Sequence, residues 1–328
     1  MSRRQTGFTL IEMMVAMAIF SIIALALSTF IVDSQKVNFQ IAAETDVSLM
    51  SQQALDDMRW RLNQSRSILD GKSGYLDLLD LATAPPVEGK LQLPIIEPTG
   101  SLTPRASDKD PQFNQASVGN ALLFVEAMPP FRDPKTGRLV DTYRFVLYYV
   151  AEGLRHEKFG PLPNYVELMR FESVLYADFA QVDSLPKEIA PDVIAALQHS
   201  GIDYTWEATA PAIAAFSRLA HGEIQIPPEP KHKILAARVE SAVPGLGRVQ
   251  TAAGSIAYSV AINTPGDLPI HTVVPKFAKI ASGFPNGFEV EIAGPSHGRK
   301  VLARLVLVAE THGHFYSREN QMLAAVWD

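Results

Sequence analysis

The chain contains no cysteine. That absence removes disulfides, thiolate catalysis, cysteine-ligated zinc and iron–sulfur clusters, so any folded part of these 328 residues must be held by its core. Proline and glycine are both missing from Phe8 to Asp70. Positive charge is in deficit. The formal net charge is −6; the first 32 residues contribute +1 through Arg3, Arg4 and Glu12, which leaves −7 for the rest. So acidic a remainder argues against sequence-independent binding of nucleic acid, which needs a surplus of Lys and Arg. No nucleophile elbow, phosphate-binding loop, zinc-protease motif or EF-hand spacing occurs, so no catalytic constellation, and no enzyme, is expected. Gly245-Leu246-Gly247 is a lone pair of glycines and reads as a turn. His312-Gly313-His314 lacks neighbouring acidic or histidine ligands, and Asp77, Asp80, Asp108 and Asp110 match no defined calcium loop. Both read as solvated loop residues, and no cofactor or metal is expected.

What is present is concentrated at the start. Phe8 to Val32 is an apolar block whose one ionisable residue is Glu12. It is long enough to cross a bilayer as a helix, at about 20 residues per crossing. A secretory signal would place its apolar region before a small-residue cleavage site. Here the small residue, Gly7, precedes the apolar block, so cutting there would leave the helix on the mature chain. Arg3 and Arg4 hold this end in the cytoplasm by the positive-inside rule, and the bulk of the chain is then expected on the far side. A carboxylate inside an apolar span costs about 2.5–3.5 kcal/mol on insertion scales, and so marks function or a partner. Once the chain starts at Phe8, a neighbouring subunit's α-amino group is the natural counter-charge for Glu12.

Gly7-Phe8-Thr9-Leu10-Ile11-Glu12, after a basic leader and before an apolar run, resembles the prepilin peptidase recognition motif of type IV pilins and type II secretion pseudopilins. The resemblance implies cleavage after Gly7, N-methylation of Phe8 and filament docking through Glu12. It implies a prepilin peptidase, other pilins or pseudopilins and the inner membrane as partners. It also implies a single pass, with the N-terminus cytoplasmic and the globular domain extracytoplasmic. The span lacks the proline common in major pilins, the chain lacks the disulfide that closes their C-terminal loop, and a chain starting at Phe8 is far longer than the usual major subunit. These departures point to a minor pilin or a large pseudopilin, of the J or W type. A membrane-anchored display module binding a surface or a secreted substrate is the alternative.

The expected fold class is α+β, a pilin-like lollipop with a long N-terminal helix packed on an antiparallel β-sheet domain. The expected divisions are a leader (1–7), the transmembrane half of the helix (8–32), its extracytoplasmic half (33–70), a connecting loop region (71–117) and an α+β globular domain (118–328). Beyond the membrane the helix should carry an apolar stripe of Val37, Ile41, Val47, Met50, Ala54, Met58 and Leu62. Its polar face is Gln52, Asp56, Arg59 and Gln64. Gly71 is the expected stop, and Trp60 is expected to be buried against the sheet. Strands are expected at 121–127, 142–151, 165–172, 234–239, 255–263, 287–293 and 301–310, the second and third of these forming a hairpin. Helices are expected after Pro191 and Pro211. Tyr143, Phe145, Tyr148 and Tyr149 are expected in the core.

Overall fold

Thr9 begins the first helix with a capping box, and nothing in the following residues interrupts it before Leu62. This α1 (Leu10–Leu62) runs 53 residues, about 80 Å at 1.5 Å per residue. The computed structural model describes residues 9–69, 71, 75–79, 81, 91, 93–94, 118–152, 166–203, 234–251, 254–261, 276–277, 287–294, 297–311 and 314–327. The helix stops eight residues short of the expected end at Asp70. Asn63 caps it, and residues 65–69 form a strand instead. Ser65-Arg66-Ser67-Ile68-Leu69 is a poor helix sequence, with two serines and a β-branched residue. Pairing with a later strand supplies its backbone bonds.

Among the described residues, twelve strands follow in chain order. They are β1 (Ser65–Leu69), β2 (Val118–Gly119), β3 (Ala121–Arg132), β4 (Leu139–Glu152), β5 (Val166–Ser173), β6 (Tyr176–Ala177), β7 (Ala236–Ser241), β8 (Gly247–Thr251), β9 (Gly254–Val260), β10 (Phe288–Ala293), β11 (His297–Thr311) and β12 (His314–Trp327). Among the described residues, two short helices, α2 (Phe179–Asp183) and α3 (Ala190–His199), sit between β6 and β7. The strands make two antiparallel sheets where one was expected. The first is ordered β1-β3-β4-β5-β7, with β6 on β4. In the second, β12 runs along one edge of β11. Strands β10 and β9 divide its other edge, β10 along residues 300–305 and β9 along 307–311.

Period-two alternation explains how both sheets share one core. The even positions Leu122, Phe124, Val146, Tyr148 and Leu168 of the first sheet face Val290, Val301, Ala303, Leu305 and Met322 of the second, and α1 lies against both. The odd positions of the first sheet, Leu123, Val125, Phe145, Leu147 and Tyr149, enter a second apolar cluster with Tyr75, Leu78 and Leu93. The first sheet is therefore covered on both faces. The four aromatic residues expected in the core are all buried. The helix expected after Pro211, the loop within the β4–β5 hairpin, His312 and the acidic positions 80, 108 and 110 lie outside the described residues. Asp77 is exposed, on a single 3-10 turn at Tyr75–Leu78.

Candidate assembly site

The first half of α1 is not covered by any other described part of the chain. Every residue from Leu10 to Asp33 is exposed, including Leu10, Phe20, Leu25 and Phe30 at 69–80%. A helix this apolar and this bare cannot be a core helix of its own domain. Its mean hydropathy reaches 2.6 over the best window, enough to cross a membrane, and none of that window is buried.

At its start the two polar side chains of this stretch serve each other. The Thr9 backbone N–H donates to Glu12 Oε2 at 2.9 Å and the Thr9 hydroxyl donates to the same oxygen at 3.0 Å. The Glu12 N–H donates to Thr9 Oγ1 at 3.3 Å. This is a reciprocal capping box. It satisfies donors that would be orphaned at a helix start in lipid, and it fixes the carboxylate beside the first turn. Thr9 was not singled out from the sequence, although the Thr-x-x-Glu spacing before an apolar run signals this cap. Of the other expected site residues, Arg3, Arg4, Gly7 and Phe8 lie outside the described residues.

The second half of α1 is gripped. Its buried positions are Ala43, Val47, Ser51, Ala54, Leu55, Met58, Arg61 and Leu62, a helical stripe that begins only at Ala43. Val37 and Ile41, expected in that stripe, are exposed, Val37 on the wall of an open groove beside the β11–β12 hairpin. Trp60 is also exposed, at 57%. It lies two residues beyond Met58, about 200° around the helix from the buried stripe. Gln52, Asp56, Arg59 and Gln64 form the expected solvent face.

Polar anchors flank the stripe. Tyr258 donates to Asp46 at 2.8 Å, and Asn320 Nδ2 donates to Ser51 Oγ at 3.0 Å. At the far end a buried ion cluster joins α1 to the first sheet. Arg61 reaches Glu126 at 3.1 Å, Glu172 at 2.9 Å and Asp57 at 3.3 Å. Arg144 bridges the same two glutamates at 2.6 and 2.8 Å, and Arg170 reaches Asp57 at 2.8 Å. Arg170 Nε and Glu172 Oε1 are 3.0 Å apart yet misaligned for a hydrogen bond, so that contact is ionic only. Burial pushes the Asp57 carboxyl up, but the Tyr148 hydroxyl, Arg61 and Arg170 outweigh it and hold it below the usual carboxylate range. Glu126, Arg144, Arg170 and Glu172 sit at alternate, inward positions of β3, β4 and β5, among Phe124, Tyr148 and Leu168; that alternation was their one signal in the sequence.

A family model of the prokaryotic N-terminal methylation motif matches residues 2–28. The N-terminus is a type IV prepilin methylation segment. Comparison with curated proteins and with solved structures gives no match. The match takes in the basic residues before Gly7 and most of the bare apolar helix, and ends within α1. Joined to the two-sheet head, it makes a pilin-like lollipop of α+β class, an architecture that fits a membrane-anchored protein.

Proposed function

We propose that this chain is a minor pilin or pseudopilin, a structural subunit that enters or primes a type IV pilus or a type II secretion pseudopilus. A prepilin peptidase cuts after Gly7 and Phe8 is methylated. Before assembly the protein sits in the inner membrane by one pass, leader inward and head outward. In the filament, Glu12 pairs with the α-amino group of a neighbouring subunit. The observation that carries this reading is the coincidence of the methylation motif at residues 2–28 with a bare apolar helix. A motif of this kind would mean little on a helix packed into its own domain. Here the helix has no partner within the described chain and needs one outside it, first lipid and then other helices.

The capping box bears on the chemistry. Thr9 and Glu12 both lie after the proposed cut, so the cap survives processing, and the carboxylate is held at the helix start before any neighbour arrives. The buried charges around Arg61 are paired among themselves and act as structure: they fix how the head is mounted.

The test is the intact mass and N-terminal residue of the chain expressed with and without an active prepilin peptidase. A mature start at methylated Phe8 is expected only with the peptidase. An unprocessed Met1 in its presence would overturn the reading.

A further inference from the structure

The end of the head nearest the membrane can be located from its contacts with α1. Strand β11 runs antiparallel to the helix. At its start, Arg299 donates to the Ile68 carbonyl at 3.3 Å, just past the helix C-terminus. Midway along its partner strand β12, Asn320 meets Ser48 and Ser51. At its end, Thr311 and the first residues of β12 lie beside residues 36–40 of α1, around an open groove of about 550 Å³. Lys36, Val37, Phe39 and Gln40 form the helix side of that groove, and Phe315 and Tyr316 the hairpin side.

This groove lies next to the apolar span. The span ends at Val32, and Asp33 is the first charged residue after Glu12. Lys36 follows one helical turn later, about 6 Å along the axis, and Gln40 about 12 Å along. The headgroup layer is about 5–8 Å thick on each side of a 30 Å hydrocarbon core. An upright helix with its apolar run in the hydrocarbon therefore carries Lys36 at headgroup depth and the β11–β12 hairpin at its outer margin. The residues there suit that position. Lys36 is exposed and sits 3.9 Å from Asp33, a loose solvent pair that can exchange for a phosphate. Phe39, Phe315 and Tyr316 are only half-buried, and tyrosine, with an apolar ring and a polar tip, gathers at membrane interfaces. Among the described residues of the hairpin the nearby exposed charges are Glu310 and Arg318, one of each sign, so these two do not close the surface to lipid by repulsion.

We infer that the groove between residues 36–40 of α1 and the β11–β12 hairpin is a membrane-surface seat, in which the head rests on the headgroups of the leaflet its own helix leaves. This rests on reading the first half of α1 as a membrane span. The head stands on the bilayer in a fixed orientation and is not free to swing on the exposed stretch of helix between Asp33 and Ala42. Leaving the membrane for a filament then means giving up this contact as well as the span.

The chain is free of cysteine, so single spin labels can be placed in the full-length protein. Labels at A24C, E310C and K135C report the middle of the span, the hairpin and the distal β3–β4 turn. The protein is reconstituted in vesicles of phosphatidylethanolamine and phosphatidylglycerol doped with a lipid bearing a nickel-chelating headgroup. The inference expects strong nickel relaxation at 310, none at 135, and oxygen but not nickel access at 24. Equal nickel relaxation at 310 and 135, with 24 still in hydrocarbon, overturns the seat and leaves the anchor intact. Water-like behaviour at 24 overturns the anchor and the seat with it. Protection of 310 from a water-soluble chelate that vanishes on dilution with lipid assigns the groove to a second copy and also overturns the inference.

Discussion

At the residue scale, Glu12 has two jobs that ordinary substitutions confuse. It completes a capping box with Thr9, and in the proposed filament it supplies a charge to a neighbour. Glu12→Gln keeps an oxygen that can accept from Thr9 and removes the charge, whereas Thr9→Ala removes the side-chain cap and keeps the charge. Loss of an N-cap costs about 1 kcal/mol of helix stability. The expected result, read as co-isolation with sheared filaments, is that Glu12→Gln is excluded while Thr9→Ala is incorporated at a reduced level. The reverse order would make the cap the whole role of Glu12. A second residue-scale prediction concerns the outer face of the second sheet. Glu291 is buried with Oε1 unpartnered among the described residues, and burial together with nearby Glu289 pushes its carboxyl up to about 7. Below about pH 4.5 it is protonated folded or unfolded. As pH rises toward 7 the unfolded chain ionises first, so stability is lost over that window. Glu319 acts in the opposite sense. Burial raises it, but bonds from Arg304, Lys276 and Gln321 prevail and bring it to about 2. Its contribution is present above about pH 4.5 and is lost as pH falls toward 2. Denaturant unfolding of Glu291→Gln in detergent should show a gain on the order of 2–3 kcal/mol at pH 8 and little at pH 4. An equal gain at both values would mean that packing, not charge, sets the effect.

At the scale of elements, α1 divides at Ala43 into a bare half and a gripped half, and single substitutions should report the boundary. Met58 is fully buried in the shared core, and Met58→Ala is expected to cost about 2–5 kcal/mol through the cavity it leaves. Trp60→Ala, two residues away on the exposed side, should change stability by under about 0.5 kcal/mol despite the larger side chain removed. Thermal melts of the two variants should fall far apart. The exposure of Trp60 shows where sequence reading ran out. The stripe could be counted along α1, but the sequence does not say how wide a face the head covers or where along the helix it begins. The β4–β5 hairpin and α3 were legible because they carry strong local signals, aromatic alternation in one and a Pro start with Gly201 at the end in the other. The last turn before Asp70 and the whole of β12 were not. Residues 65–69 become a strand through pairing with β3, and β12 (His314–Trp327) is rich in Glu, Gln, Met, Leu and Ala, which favour helices, yet it pairs with β11 along its full length. Tertiary partners chosen far along the chain decide such segments. Of the candidate site, the contiguous motif was legible, though not the capping role of Thr9 within it. The ion cluster around Arg61 was not, because its members come from four elements and its contacts join residues up to 113 apart.

At the scale of the molecule, the head and the anchor are coupled mechanically and nearly independent energetically. Among the described residues none before Ala43 is buried, and the shared core draws its buried α1 side chains from Ala43 to Leu62, with half-buried Phe39 packed against its edge. The ion cluster lies at the opposite end of the gripped segment from the membrane, and the Tyr258–Asp46 and Asn320–Ser51 bonds also fall within it. Together these contacts hold the helix against sliding and rotation, so force on the anchor passes into both sheets through about 20 residues. The stretch from Leu10 to Asp33, exposed throughout, adds length, about 36 Å, but almost no fold stability. A chain starting at Ser34 keeps Phe39 beside the hairpin and every buried side chain of α1. It should be soluble without detergent and fold cooperatively, with a melting temperature within about 4 °C of the full-length protein in micelles, the shift that roughly 1 kcal/mol makes in a domain of this size. Paired melts followed by near-ultraviolet circular dichroism, which reads the packed aromatic residues of the two sheets, would check it. A truncated chain that loses that signal while keeping helix and strand would show that the bare half of α1 organises the head as well as anchoring it.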